Sequence, residues 1–134
     1  ISYGFRSQND TFDKKDIIVL DTMGELGKMY SICYFAFIGG SFNNTGGHNP
    51  LEATVYSKPT ITGPSIHNFR DIYWLLSQSK AGKVVKTPSE LSAYMETLLA
   101  DKDFYEQACK DCETIFNDQQ GALDVVIDEL KQIL

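Results

Sequence analysis

The sequence predicts an α/β fold: a doubly wound parallel sheet with helices on both faces. Two observations carry that expectation. Short apolar runs rich in β-branched residues, such as Ile17-Ile18-Val19-Leu20 and Pro59-Thr60-Ile61-Thr62, recur along the chain, and each is followed by a segment with helical spacing of its apolar residues. The loops between them are short, which suits parallel strands joined by crossover helices.

Ile1 to Arg6 reads as a strand already in progress, and with no initiator Met the chain is expected to be a piece of a longer protein. After a short polar linker, Ser7 to Asp16, the run Ile17 to Leu20 is continuous enough to predict a strand buried on both faces. Thr22-Met23-Gly24-Glu25 matches a capping box, and Leu26, Met29, Tyr30 and Cys33 follow at helical spacing. Tyr34 to Ile38 is the next strand, Asn49 to Ser57 the next helix, and Pro59 to Thr62 a strand that ends in Gly63-Pro64. Phe69 to Ser79 places Phe69, Ile72, Tyr73 and Leu76 on one helical face, and Ala81 to Val85 gives a further strand. Thr87-Pro88-Ser89-Glu90 supplies a cap, a first-turn proline and a box glutamate. From there to Leu134 nearly everything is helical, with breaks expected near Asp101 and at Asn117 to Gly121.

With 134 residues the chain is about one domain long. A net charge of −6 argues against nucleic acid as a partner and against an anionic membrane surface, so any anion site must be local. No apolar run approaches the roughly 20 residues of a membrane span. Cys33, Cys109 and Cys112 are sparse and odd in number, which points to a reducing, cytoplasmic compartment rather than a disulfide framework. Cys109-x-x-Cys112 falls inside a helical segment without a second ligand pair, Asp101-Lys102-Asp103 sits far from the glycine loops, and no metal or cofactor is implied.

The chemistry concentrates at strand exits, where ligands bind in doubly wound sheets. Asp21 to Glu25, Gly39 to Asn49 and Gly63 to Arg70 are three such loops, close enough in the topology for one ligand to touch all of them. The stretch Gly39-Gly40-Ser41 through Gly46-Gly47-His48-Asn49-Pro50-Leu51-Glu52 reads as strand, glycine loop and helix start. Glycines let the backbone approach a ligand at φ > 0, and a helix start presents free N–H groups to an anion. Glu52, in the first turn, is placed to accept hydrogen bonds from a diol such as ribose. His48 is better suited to ordering the loop or contacting phosphate than to acid–base work, because no nucleophile lies near it in the sequence.

The ordered set Asp21-Thr22-Met23-Gly24-Glu25-Leu26, Gly39-Gly40-Ser41, Gly46-Gly47-His48-Asn49-Pro50-Leu51-Glu52, Lys58-Pro59, Gly63-Pro64 and Asn68-Phe69-Arg70-Asp71 resembles the C-terminal domain of the 3-deoxy-D-manno-octulosonic acid (Kdo) transferases. The likeness is most specific from Ile17 to Asp71 and looser beyond it, through Asn117, Gly121 and Ala122. It implies a GT-B glycosyltransferase, two Rossmann-like domains across a cleft, in which residues 1–134 are a single donor-nucleotide domain truncated at its N-terminal end. The donor would be CMP-Kdo. The acceptor, the lipid A precursor of lipopolysaccharide, the catalytic base and the membrane anchor would belong to the facing domain, at the cytoplasmic face of the inner membrane.

Carried over to this sequence, the resemblance implies that Gly46, Gly47, His48 and Asn49 hold the phosphate and Glu52 the ribose hydroxyls. Thr22, Met23, Gly24 and Glu25 line the cytosine end, with Met23 packing on the ring. Ser41 joins the substrate-binding set, and Arg70 meets the sugar carboxylate or the phosphate. Two other functions fit the same fold: a UDP-sugar-dependent transferase or epimerase, and a nucleotide-binding domain without chemistry.

Overall fold

The computed structural model describes residues 1–133, with side-chain environments through Gly121. Five strands and five α-helices alternate after an opening strand pair: β1 Tyr3–Phe5, β2 Ile17–Val19, α1 Leu26–Ile32, β3 Ala36–Ile38, α2 Leu51–Thr54, β4 Thr60–Thr62, α3 Arg70–Ser77, β5 Gly82–Val84, α4 Pro88–Ala100 and α5 Lys102–Ile133. A single 3₁₀ turn, Arg6–Gln8, lies between β1 and β2. Every strand pairing is parallel, as expected.

The sheet is divided, which the apolar runs did not foretell. β1 and β2 form one two-stranded sheet, and β3, β4 and β5 form another in that order. β4 is central, with Thr60, Ile61 and Thr62 all buried, and its two neighbours place Ala36 and Gly82 opposite Thr60. The expectation that Ile17 to Leu20 is buried on both faces is corrected: Ile17 and Val19 are 50% and 40% exposed. An apolar run records what a strand can bury, and β2 has only β1 beside it.

The core forms on the three-stranded sheet. Ala36 and Ile38 of β3 meet Ala53 of α2 and Tyr73 of α3, with Tyr30 of α1 packed against them. Ile61 points the other way along β4, into a cluster with Val85, Leu98 of α4 and Ala108 of α5. A third cluster joins Leu76 of α3 to Cys112 and Ile115 of α5. Cys112 is therefore a core residue whose thiol, pushed up to about 12 by burial, is held as a neutral packing group.

Local signals explain most helix boundaries. The Thr87 side chain accepts the Glu90 N–H at 3.2 Å, and the Glu90 carboxylate takes the Lys86 N–H at 2.7 Å, so α4 opens on a reciprocal cap with Pro88 in its first turn. Asp101 breaks the helix as expected and caps α5 through the Phe104 N–H at 2.9 Å. The break expected at Asn117 to Gly121 does not occur; α5 runs through it. One glycine costs an exposed helix only about 1 kcal/mol relative to alanine, and helix-favouring neighbours absorb that. Ala122 and Leu134 lie outside the residues whose side chains are described.

β1 and β2 pair in parallel, and the residues flanking them are tied by aspartate–serine hydrogen bonds. Asp16 accepts the Ser2 N–H at 2.6 Å and the Ser2 hydroxyl at 3.0 Å; Asp21 accepts the Ser7 N–H at 2.9 Å and its hydroxyl at 2.6 Å. These bonds hold both carboxyls below the ordinary aspartate range. A carboxyl with a depressed folded pKa contributes fully at neutral pH and loses its contribution as the pH falls through that folded pKa. Acidification below the usual aspartate range is thus expected to open β1–β2 before β3–β5. Amide hydrogen exchange across that range checks this: protection at Ser7 and Ile17 should fall first, and simultaneous loss in both sheets would contradict it.

Candidate functional site

The exits of β3 and β4 are tied together by Ser41. Its hydroxyl donates to the Ile38 carbonyl at 2.8 Å and accepts the Gly63 N–H at 2.8 Å, while its own carbonyl takes the Ser65 N–H at 2.9 Å. Ser41 is 1% exposed. The Ser41 hydroxyl, expected to join the substrate-binding set, is engaged here in holding two loops in register. Gly63 is required beneath it because a Cβ there would stand 2.5 Å from the Ser41 carbonyl oxygen.

The glycine loop is shaped by the same two-loop contact. Gly46 and Gly47 have φ of 94° and 76°, the left-handed region, and both are buried. Their N–H groups are engaged internally: Gly46 donates to the Ser65 hydroxyl at 3.2 Å and Gly47 to the Gly40 carbonyl at 3.0 Å. In this conformation the two glycines have their amides, expected at the phosphate, paired within the protein. Their work is to let the loop double back. Asn68 straps the loop from the other side, its Nδ2 donating to the Thr45 carbonyl at 2.9 Å and its backbone N–H to the Gly46 carbonyl at 3.2 Å. Tyr73 completes the hold by donating its hydroxyl to the His48 carbonyl at 2.8 Å. Of the four amides expected at the phosphate, those of His48 and Asn49 have no protein partner among the described residues.

The helix that follows is shorter than expected. α2 has four residues, Leu51–Thr54, and the Asn49 side chain accepts the Leu51 N–H at 3.1 Å in an Asx turn. A helix dipole of that length contributes little beyond its first turn, so local N–H groups matter more than the macrodipole. Glu52 is exposed in that first turn. It faces a cleft of ≈ 510 Å³ lined also by Leu26 and Tyr30 of α1, Ile38 of β3, Gly39 just after it, His48 and Asn49. The cleft opens at the carboxyl end of β3, where a doubly wound sheet binds its ligand.

Thr22, Met23, Gly24, Glu25 and Arg70 do not line this cleft. Thr22 and Glu25 do not cap α1 through its backbone, as the capping box predicts; Thr22 donates its hydroxyl to the Glu25 carboxylate, which also pairs with Arg6 at 3.3 Å. Those contacts, Thr22 first and Arg6 after it, hold the Glu25 carboxyl below its ordinary range. Gly24 turns at φ 80°, and Met23 is 98% exposed with its side chain free for a ligand to cover. Leu26, immediately after this loop, reaches the cleft. Arg70 is exposed at the start of α3. Tyr30, Leu26 and Phe69 were not singled out as site residues by sequence reasoning, because helical spacing marks them as core; Tyr30 and Phe69 do pack on the core as well as lining the cleft, whereas Leu26 is exposed. A separate apolar cavity of ≈ 510 Å³, lined by Phe12, Ile18, Leu20, Met29 and Ile32, lies beside β2 and away from the glycine loop. Among the described residues no group of histidine, cysteine and carboxylate side chains is placed to hold a metal, and no helix is long and apolar enough to cross a membrane.

Gly47→Ala is expected to destabilise the fold by roughly 1–2 kcal/mol, the cost of a left-handed residue with a Cβ. The Ser65 carbonyl oxygen, 3.2 Å from that Cβ, gives the loop little room to relax. Chemical denaturation checks the value, and an unchanged midpoint would show that the loop has another conformation available.

No protein-family model matches the chain. Curated relatives do: it is 36% identical to the 3-deoxy-D-manno-octulosonic acid transferase of Haemophilus influenzae over 96% of this chain and 31% of that one. It is 35% identical to the Rickettsia prowazekii transferase over 96% of this chain and 29% of that one, and 36% identical to the Aquifex aeolicus transferase over 75% and 28%. The chain thus spans about 30% of the length of these relatives. Among solved structures it superposes on the C-terminal CMP-Kdo binding domain of WaaA from Acinetobacter baumannii with a TM-score of 0.79 and 27% identity, covering 86% of this chain and 61% of that one. In sequence and in fold the chain is a homologue of the Kdo transferases and corresponds to their C-terminal domain.

Proposed function

We propose that the chain is the donor-nucleotide half of a GT-B glycosyltransferase that moves Kdo from CMP-Kdo onto the lipid A precursor of lipopolysaccharide. The observation that carries the reading is the cleft at the β3 exit. It brings His48, Asn49 and Glu52 together above a strapped glycine loop, in a chain whose relatives are Kdo transferases. The free N–H groups of His48 and Asn49 hold the phosphate, Glu52 accepts the ribose hydroxyls, and Thr22 to Glu25 with exposed Met23 close over the cytosine. Arg70 meets the sugar carboxylate or the phosphate.

The chain's share of the chemistry is leaving-group stabilisation. As the anomeric bond breaks, negative charge gathers on the CMP phosphate, and N–H donors already aimed at it lower the barrier without reorganising. The acceptor hydroxyl loses its proton to a base on the facing domain. In this reading the full-length protein works at the cytoplasmic face of the inner membrane, where its lipid acceptor lies.

Calorimetric titration with CMP, UMP and UDP tests the donor. CMP binding tightest is the expected result; UDP binding tightest would make this a UDP-sugar enzyme, and binding of none of them would remove the nucleotide reading. Glu52→Ala in the full-length enzyme is expected to lower kcat/KM for CMP-Kdo by the equivalent of roughly 1–3 kcal/mol, the scale of a hydrogen bond to a charged partner. An unchanged kcat/KM with the fold intact would return Glu52 to a plain first-turn carboxylate.

A further inference from the structure

Three of the seven tyrosines hand their hydroxyls to main-chain carbonyls. Tyr73 donates to His48 at 2.8 Å, Tyr94 to Lys80 at 3.2 Å and Tyr105 to Tyr34 at 2.9 Å. Tyr30 differs. Its ring packs against the cluster of Ala36, Ile38, Ala53 and Tyr73, yet among the described residues its hydroxyl has no protein partner. It lines the same cleft as Glu52, Asn49 and His48. The Glu52 carboxylate likewise has no hydrogen-bond partner among the described residues, and the Asn49 Oδ1 is already committed to the Leu51 N–H.

We propose that Tyr30 and Glu52 together read the ribose diol, Glu52 accepting from the hydroxyls and Tyr30 donating to one of their oxygens. This deepens the donor-nucleotide reading and rests on it. A carboxylate accepts hydrogen bonds only, so Glu52 satisfies the protons of a diol and leaves its oxygen lone pairs bare. A phenol supplies the missing donor. Burial, and after it the charge of Glu52, raises the Tyr30 pKa, which keeps the phenol protonated at neutral pH. The Tyr30 hydroxyl is not sealed from solvent, so a ligand hydroxyl can take the place of water as its partner. The pair therefore favours a sugar with both hydroxyls over one that lacks them, in the way that a polar site rejects an analogue without the matching group.

Tyr30→Phe keeps the ring in the core and removes only the donor, so it is a positioning and specificity variant rather than a packing one. The test is titration of the protein and of Tyr30→Phe with CMP and with 2′,3′-dideoxy-CMP, alongside thermal midpoints. The expected result is a loss of about tenfold in CMP affinity on substitution, the scale of one hydrogen bond, with dideoxy-CMP affinity and the midpoint unchanged. Equal losses for both nucleotides would assign Tyr30 a structural role, and no loss for either would place its hydroxyl outside the diol; both overturn the proposal and leave the donor reading standing. If the unaltered protein binds neither nucleotide, the donor reading fails and this one with it.

Discussion

The Ser41 hydroxyl, donating to Ile38 and accepting from Gly63, is the contact on which the rest of the site depends. A buried hydroxyl with both roles satisfied is rigid, because either bond alone would leave a backbone group unpaired in the core. By fixing where β4 ends relative to β3, it sets the height of Ser65, and Ser65 in turn holds the Gly46 N–H. The glycine loop is then pinned at its centre by Ser65, on its flank by Asn68 and at its end by Tyr73. What emerges from this lattice is a pair of free amides at His48 and Asn49 beside one carboxylate. Preorganisation of that kind matters in a transfer reaction, since donors that need not move when charge develops are worth more than donors that must.

The glycines of this loop illustrate how one composition supports two explanations. Glycine permits both close approach of a ligand and a left-handed turn, and Gly46 and Gly47 serve the second need. The N–H groups that composition alone would offer to a phosphate are consumed in building the turn that displays their neighbours. In the proposed reading, anion recognition starts one residue past the left-handed turn, at His48.

The order of strands and helices was legible in the sequence because it is written in local periodicity and caps. Ile61 between two threonines, Thr87-Pro88-Ser89-Glu90 ahead of α4, and the break at Asp101 all act over a few residues. The division of the sheet was not legible, since a β-branched run specifies a strand without naming its neighbours, and Ile17 to Val19 is apolar whether or not a second strand covers it. The site was legible to the level of its loops. Glu52, His48 and Asn49 reach one cleft as expected, but the destination of each hydrogen bond depends on residues about twenty positions away, such as Ser65 for Gly46 and Gly63 for Ser41, and no local pattern encodes that. Tyr30 was hidden for a related reason: helical spacing announces its buried ring and is silent about its hydroxyl.

The opening strand pair has a different physical character from the rest. β1 and β2 are bound by serine hydroxyls and aspartates at the surface and expose Tyr3, Ile17 and Val19, whereas β4 is sealed on both sides. Exposed hydrogen bonds with little apolar burial mark a low-stability cooperative unit. The Arg6–Glu25 pair spans that unit and the loop before α1, so the residues expected over the cytosine are moored to a part of the molecule with little apolar burial. Base recognition would then be the most mobile function of the domain and phosphate recognition the most fixed, a gradient of local stability running across a single ligand.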